Sequence, residues 1–156
     1  MTNKELYREF CKKNHQLPIF MQDWWLDAVC AGKEWDVMLC VKRGDEEMRL
    51  LGGEEMRRET EAPEEIVAAM PYLLRKRAWM QYILMPQQTQ IGGIWMSEDI
   101  TEDAEKVTAV CQQFARKLGE MGLSYYYQLI CNTEYITKPL RPEACSKERQ
   151  ISHIKV

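Results

Sequence analysis

Four closely spaced residues have side chains or backbones that are suited to binding a ligand: Thr89, Gln90, Gly92 and Gly93. Glycine lets a backbone approach a ligand closely, while Thr and Gln side chains both donate and accept hydrogen bonds. The same composition is equally typical of an ordinary turn, with Trp95 packed beside it. The sequence leaves both interpretations open, and we predict these four as substrate-binding residues.

A run of aromatic residues, Tyr125-Tyr126-Tyr127-Gln128, is the second candidate. Alternation along a strand places Tyr125 and Tyr127 on one face and Tyr126 and Gln128 on the other. A tyrosine hydroxyl can act as a general acid in acyl transfer, so we predict Tyr125 and Tyr127 as substrate-binding residues that line a cleft. Aromatic packing in a sheet explains the run equally well, and the catalytic residues stay unknown.

No arrangement typical of a nucleophile or a metal site stands out. The chain has no Gly-x-Ser-x-Gly elbow, and neither His15 nor His153 lies near two cysteines. The six cysteines form no C-x-x-C pair, so we expect no metal; they are Cys11, Cys30, Cys40, Cys111, Cys131 and Cys145. Direct attack of one bound substrate on another needs mainly positioning and proton removal, so the lack of a recognisable nucleophile does not exclude an enzyme.

Length and composition indicate one globular domain. The chain has 156 residues, of which 46% are hydrophobic and 29% charged. A net charge of −3 argues against a DNA partner, because neutralising phosphates needs an excess of Lys and Arg. The one dense basic run, residues 75–77, is interpreted as the solvated end of a strand; contact with an anion or tRNA is the alternative.

The sequence predicts a cytoplasmic protein. Residues 1–5 contain no apolar signal segment, and no run reaches the ~20 apolar residues that a membrane span needs. We therefore expect reduced cysteines and no membrane span.

Helical periodicity is clear in three places. Thr2 and Glu5 have capping-box spacing before an amphipathic helix over residues 3–14. A second helix over 22–31 carries Trp24 and Trp25, which we expect the sheet to bury, with Gly32 as its C-terminal cap. Apolar residues three and four apart predict a third helix over 102–120.

Several short segments have the composition of strands. The spans are 35–43, 66–74, 80–85, 94–96 and 124–130, with an exposed insertion over 46–65 that has a strand at 48–51 as an option. Pro71 lacks a backbone donor, so we expect a bulge or a break in the strand there. The element order predicts an α/β (α+β) fold with a mixed sheet.

The order of these segments resembles the first half of the Fem-type (FemABX-like) transferases, a branch of the GNAT acyltransferase superfamily. The likeness rests on an aromatic helix after Pro18-x-Phe20, two strands, the strand end Ala68-x-x-Pro71, and a Gly-containing loop. It covers roughly residues 15–128. It implies a GNAT-like, mainly antiparallel sheet flanked by helices in residues 1–131, followed by a tail of uncertain structure over 132–156.

The resemblance also implies a function. Relatives of this type are acyl- or aminoacyltransferases that act on an amine acceptor, so acyl-CoA and aminoacyl-tRNA are the two cosubstrates to consider; the cofactor itself stays unknown. GNAT enzymes hold the CoA pyrophosphate with an Arg/Gln-x-x-Gly-x-Gly/Ala loop. Gln90 and Gly93 match its first positions, but Trp95 stands where a small residue belongs. In Fem-type proteins the same loop lies near the cleft between two halves.

Fem-type proteins usually carry a second, similar half, for which 156 residues leave no room. We therefore expect a domain that is incomplete as an enzyme by itself and that works with a second half-domain or as a homodimer. The alternative is a non-catalytic binding or interaction module that keeps the fold.

Overall fold

The structure is a computed structural model that describes residues 2–30, 35–42, 44, 48–51, 65–86 and 88–128. The predicted tail over 132–156, the cap at Gly32 and most of the predicted insertion fall outside these residues. No helix in the described ranges is long and apolar enough to cross a membrane.

The first helix, α1, spans Asn3–Lys13. The Glu5 backbone N–H donates to the Thr2 hydroxyl at 3.2 Å, and the Thr2 N–H donates to the Glu5 carboxylate at 2.7 Å. The capping box is therefore formed as predicted, and it satisfies two backbone donors that an isolated helix start leaves free.

The second helix, α2, spans Asp23–Cys30 and follows a 3₁₀ turn at Ile19–Met21. Leu26 and Cys30 are buried, and their spacing of four puts both on the face that packs against the sheet. Trp24 lies away from that face and is 55% exposed, so the expectation that the sheet buries both tryptophans is wrong for Trp24. Trp25 is half-buried.

Within the described residues, six strands form one sheet. They are β1 (Trp35–Lys42), β2 (Arg49–Leu51), β3 (Glu65–Arg77), β4 (Met80–Leu84), β5 (Trp95–Met96) and β6 (Tyr125–Tyr126). The order is β2-β1-β3-β4-β6, and β5 also pairs with β3. Only β4 and β6 are parallel among these pairs. Two further helices, α3 (Glu98–Thr101) and α4 (Ala104–Glu120), connect β5 to β6.

Helices cover both faces of this sheet. On one face of the sheet, α1 and α2 pack against alternate residues of β1 and form a hydrophobic core. This core includes Tyr7, Leu26, Val37, Leu39 and Leu73. On the other face α3 and α4 pack over Met38, Met70, Ile83, Ile100, Val110 and Phe114. The protein is thus a mixed α+β fold with a mostly antiparallel open sheet flanked by helices, as the sequence predicted at this level.

Strand β3 passes through Pro71 without a break, which corrects the sequence-based expectation. The irregularity lies elsewhere: Cys40 pairs with Ala68 and Val41 with Ile66, so Val67 is the extra residue of a bulge. Pro71 is opposite Val37 of β1, but its carbonyl points away from β1 and accepts a hydrogen bond from the Gln128 side chain. The backbone N–H and C=O of one strand residue point to the same edge of the strand. The N–H that Pro71 lacks would therefore also have pointed away from β1, and its absence removes no hydrogen bond between β1 and β3.

Candidate functional site

The second edge of β3 is paired in two separate stretches. Its early residues Ala68 and Ala69 pair with β5, and pairing with β4 begins only at Leu73. Pro71 lies between the two stretches. We call the resulting gap the Pro71 notch; its lining includes Phe20, Pro71, Met85, Thr89, Gly92 and Gln128.

Gln128 fills this gap with its side-chain amide. Its Nε2 donates to the Pro71 carbonyl oxygen at 2.9 Å, and its Oε1 accepts a 3.0 Å hydrogen bond from the Tyr126 hydroxyl. A buried carbonyl without a strand partner would be costly to leave unpaired, by about 1–3 kcal/mol. Gln128 therefore takes the place of a missing strand at this point of the sheet.

The loop between β4 and β5 closes the notch from the side of α2. The Trp25 Nε1 donates to the Thr89 hydroxyl at 3.3 Å, and the Trp25 ring packs edge-on against Phe20 with centroids 5.3 Å apart. Gly93 has a φ of 98°, a left-handed conformation that favours glycine. The loop is therefore attached to α2 by the Trp25–Thr89 hydrogen bond, and its backbone conformation requires a glycine at position 93.

Gly92 lies where little space remains. A Cβ at this position would lie 2.9 Å from the Met85 Sδ and 3.6 Å from the Gln128 Cδ. The cavity left between these groups measures ≈ 10 Å³, room for about one water molecule. In this arrangement the notch is closed, and a larger ligand has to displace the Gln128 amide.

Tyr126 is a neutral hydrogen-bond donor in this site. Burial raises the pKa of its hydroxyl to about 12, well above the ordinary value of 10.0. The phenol therefore keeps its proton at neutral pH and can donate it, whereas a role as a general base is disfavoured.

A second phenol, Tyr72, donates to the Asp36 carboxylate at 3.2 Å. Burial, together with the Asp36 charge, raises its pKa far above the usual range. Tyr72 therefore also stays neutral, and its bond satisfies a half-buried carboxylate rather than facing the notch.

The structure brings together three of the six predicted site residues. Thr89, Gly92 and Gly93 line the notch, while Gln90 is exposed beside it. Tyr125 and Tyr127 are 47% and 39% exposed and point away from the notch lining. The binding roles of all six stay predictions.

Sequence reasoning missed Tyr126 and Gln128 as site residues. Alternation had already placed them together on one face of the strand, which is the signal that could have found them. Choosing between the faces requires the register of β6 against β4, in which Tyr126 lies beside Ile83, and no local pattern gives that register.

A wider groove was also not anticipated. It is open to solvent, measures ≈ 850 Å³, and lies between α1, the start of β3, and the segment that follows the notch loop. Phe10 and Trp95 pack with ring centroids 5.1 Å apart and form part of its wall. Its charged lining residues are Glu9, Glu65, Glu98 and Lys13. The excess of carboxylates favours a cationic ligand.

Within the described ranges, no group of three or more His, Cys, Asp or Glu side chains could hold a metal ion. The chain matches no family model, no curated protein and no solved structure. Function is therefore inferred from the notch, the groove and the sequence pattern.

Proposed function

We propose that this chain is the GNAT-like half-domain of a Fem-type acyl- or aminoacyltransferase that acts on an amine acceptor, and that it is incomplete as an enzyme by itself. The observation that carries the proposal is the Pro71 notch. A splay between strands is a feature of the GNAT fold, and here pairing along β3 is interrupted beside a glycine loop.

The position of the notch in the sheet supports a ligand-binding role. Strands β4 and β6 run parallel, and two residues of the notch lie just beyond their carboxyl ends: Met85 is the first residue after β4, and Gln128 is the second after β6. Open sheets that contain parallel strands commonly bind ligands at this end. The helices α3 and α4 provide the crossover that parallel strands need.

The groups in the notch suit acyl transfer. When the Gln128 amide swings away from Pro71, the backbone carbonyl is free to accept a hydrogen bond from an incoming N–H group. The same movement removes the acceptor of the Tyr126 hydroxyl, which can then donate to the departing group of the acyl donor. The bound ammonium first loses one proton to solvent, and the free amine nitrogen then forms the new bond to the acyl carbon. The bond to the leaving group breaks, the nitrogen loses its second proton to solvent, and the leaving group departs with a hydrogen bond from the Tyr126 hydroxyl.

The open groove suits the acceptor. A protonated amine is attracted by Glu65 and Glu98, while Glu9 already forms a 2.7 Å ion pair with Lys12. An aromatic wall adds a cation–π contribution. Gly93, in the notch lining, and Trp95, in the groove lining, are two residues apart, so their Cα atoms lie within roughly 7 Å. The two sites are therefore neighbours along one segment.

The proposal is tested by ligand-induced stabilisation. A ligand at 100 times its dissociation constant should stabilise the native state by about 2.7 kcal/mol, so acetyl-CoA, CoA and an aminoacyl-tRNA are each added in a thermal unfolding experiment. Gly92→Ala, whose added Cβ would lie 2.9 Å from the flexible end of the Met85 side chain and narrow the notch, should reduce the shift. Gly119→Ala, on an open surface of α4, is the matched control and should retain it.

If a ligand stabilises the Gly92→Ala variant as much as the unmodified chain, that ligand binds outside the notch. The transferase proposal would be overturned if none of the three ligands stabilises the protein against thermal unfolding. The same result would have to be obtained with the chain as a homodimer or joined to a second half-domain.

A non-catalytic interaction module is the second candidate. Two observations favour it. Gln128 already closes the notch, and large apolar side chains are exposed on the surface, namely Ile19, Trp24, Trp79, Tyr125 and Tyr127. Sedimentation equilibrium would detect self-association. Its loss in Trp24→Ser, together with no donor binding, would support this function over the first.

A further inference from the structure

We propose that the tip of the β3–β4 hairpin docks on the surface of an anionic lipid bilayer. The hairpin ends in a two-residue turn of Ala78 and Trp79. Trp79 is 86% exposed, whereas Arg75, Lys76 and Arg77 immediately precede the turn. An exposed tryptophan beside three cations has the two features that interfacial membrane binding uses.

Among the described residues, no neighbour neutralises the three cations. Across the hairpin, Arg75 pairs with Tyr82, Lys76 with Gln81 and Arg77 with Met80, all of which are uncharged. In the part of the chain that the structure describes, none of the three forms an ion pair. No described carboxylate therefore competes with an external anion for these charges.

The hairpin also carries its turn away from the buried part of the sheet. Leu73 is the last buried residue of β3, and at the rise of an antiparallel strand Arg75 lies about 7 Å beyond it, Arg77 about 14 Å and Ala78 about 17 Å. The Debye length at physiological ionic strength is about 8 Å. Charges at Leu73 and earlier in β3 are therefore largely screened from Arg77 and the turn, and less so from Arg75.

The geometry favours a planar surface over a nucleic acid strand. Arg75 and Arg77 lie on one face of the hairpin and Lys76 lies on the other, so only an approach with the tip first brings all three near the same surface. Such an approach also inserts Trp79 into the interface. Single-stranded nucleic acid would run along one face and prefers several aromatic platforms for successive bases, of which this tip has one.

Vesicle sedimentation tests the proposal on the full chain. The protein should bind vesicles of phosphatidylcholine mixed with phosphatidylserine, bind vesicles of phosphatidylcholine alone far more weakly, and dissociate as salt is raised. Each cation contributes about fivefold to affinity, so Arg75→Gln combined with Lys76→Gln and Arg77→Gln should weaken binding by about 100-fold. Trp79→Ala should weaken it by about tenfold.

A matched variant controls for overall charge. Lys12→Gln, Lys106→Gln and Arg116→Gln remove three exposed cations from helices α1 and α4, and binding should stay within about twofold of the unmodified chain. Circular dichroism checks that both triple variants are folded.

Three results would overturn the proposal: no sedimentation with phosphatidylserine vesicles, an equal loss of binding in both triple variants, or tighter binding of poly(U) RNA that depends on the same hairpin residues. The last result would assign the tip to nucleic acid instead. None of these results depends on acyl transfer, so the docking surface and the proposed enzymatic function can fail separately.

Discussion

The side chain of Gln128 donates a 2.9 Å hydrogen bond to the backbone carbonyl of Pro71, at the point where β3 has no strand partner on its second edge. One side chain thus completes a sheet that the backbone leaves open. The same amide blocks the candidate ligand site, which links the stability of the sheet to access to the notch.

Gln128→Ala should lower the free energy of unfolding by about 1–3 kcal/mol, because it leaves the Pro71 carbonyl without its donor. Tyr126→Phe removes the bond to Gln128 and a weak 4.0 Å contact with the Met70 Sδ, and should cost about 1 kcal/mol. Urea denaturation measures both, and the double variant should cost less than the sum of the two. Gln112→Ala, on the exposed face of α4, is the control and should be nearly neutral. Additive costs would show that the two residues do not act as one network.

Ala78→Gly should stabilise the protein by roughly 0.5 kcal/mol. Ala78 has a φ of 53°, a left-handed conformation that costs an L-residue about 1–2 kcal/mol, partly offset by the entropy of glycine in the unfolded chain. Ala115→Gly in α4 is the matched change and should destabilise by about 1 kcal/mol. If both variants lose stability in chemical denaturation, the turn does not have the conformation described.

Stability should fall at alkaline pH. Burial raises the pKa of the Cys40 thiol to about 11, and burial likewise raises that of Cys11 to about 11, against an ordinary value of 9.0. Above pH 9 the unfolded chain therefore loses protons that the folded chain keeps, and the free energy of unfolding decreases until pH 11. Below pH 9 both states keep these protons, so the contribution is fully present there.

The fall should continue beyond pH 10, since burial raises the pKa of Tyr126 from 10.0 to about 12. Urea denaturation at a series of pH values measures the effect. Cys40→Ala should reduce the slope between pH 9 and 11, and a slope that this variant leaves unchanged would contradict the assignment to Cys40.

Thiol alkylation should distinguish the described cysteines. Cys111 is exposed, whereas Cys11, Cys30 and Cys40 are buried. Iodoacetamide should therefore modify Cys111 at least about tenfold faster than the buried three, which react only after local or global opening. Peptide mass spectrometry follows each site separately, and full denaturation should equalise the rates. Comparable rates for Cys40 and Cys111 in the folded protein would contradict the position of β1 in the sheet.

Local signals in the sequence predicted most of the elements. Thr2 and Glu5 identified the start of α1, and the apolar spacing that ends at Leu118 identified α4, which begins at Ala104 rather than at residue 102. The antiparallel pairing of β1 and β3 also agrees with the alternating patterns of both strands. These features depend on residues that are close in sequence or on the regular spacing of apolar residues, and both can be read from one amino-acid sequence.

The errors depend on long-range geometry. The expected break at Pro71 assumed that its missing donor belonged to a paired edge, whereas that edge carries no strand. Which face of the tyrosine run meets the notch depends on the register of β6, and the acidic groove combines residues of α1, β3 and α3. No local pattern encodes these contacts, because each is set by how separate elements pack.

The parallel pairing of β6 with β4 also affects the order in which the protein folds. The β3–β4 hairpin is closed by a two-residue turn, while β6 can pair only after residues 85–124 have formed the crossover. Distant contacts form slowly, because the chain has to lose entropy before they contribute. We therefore expect the hairpin to form early and β6 to dock late. During synthesis on the ribosome, the notch stays open until Gln128 has left the exit tunnel.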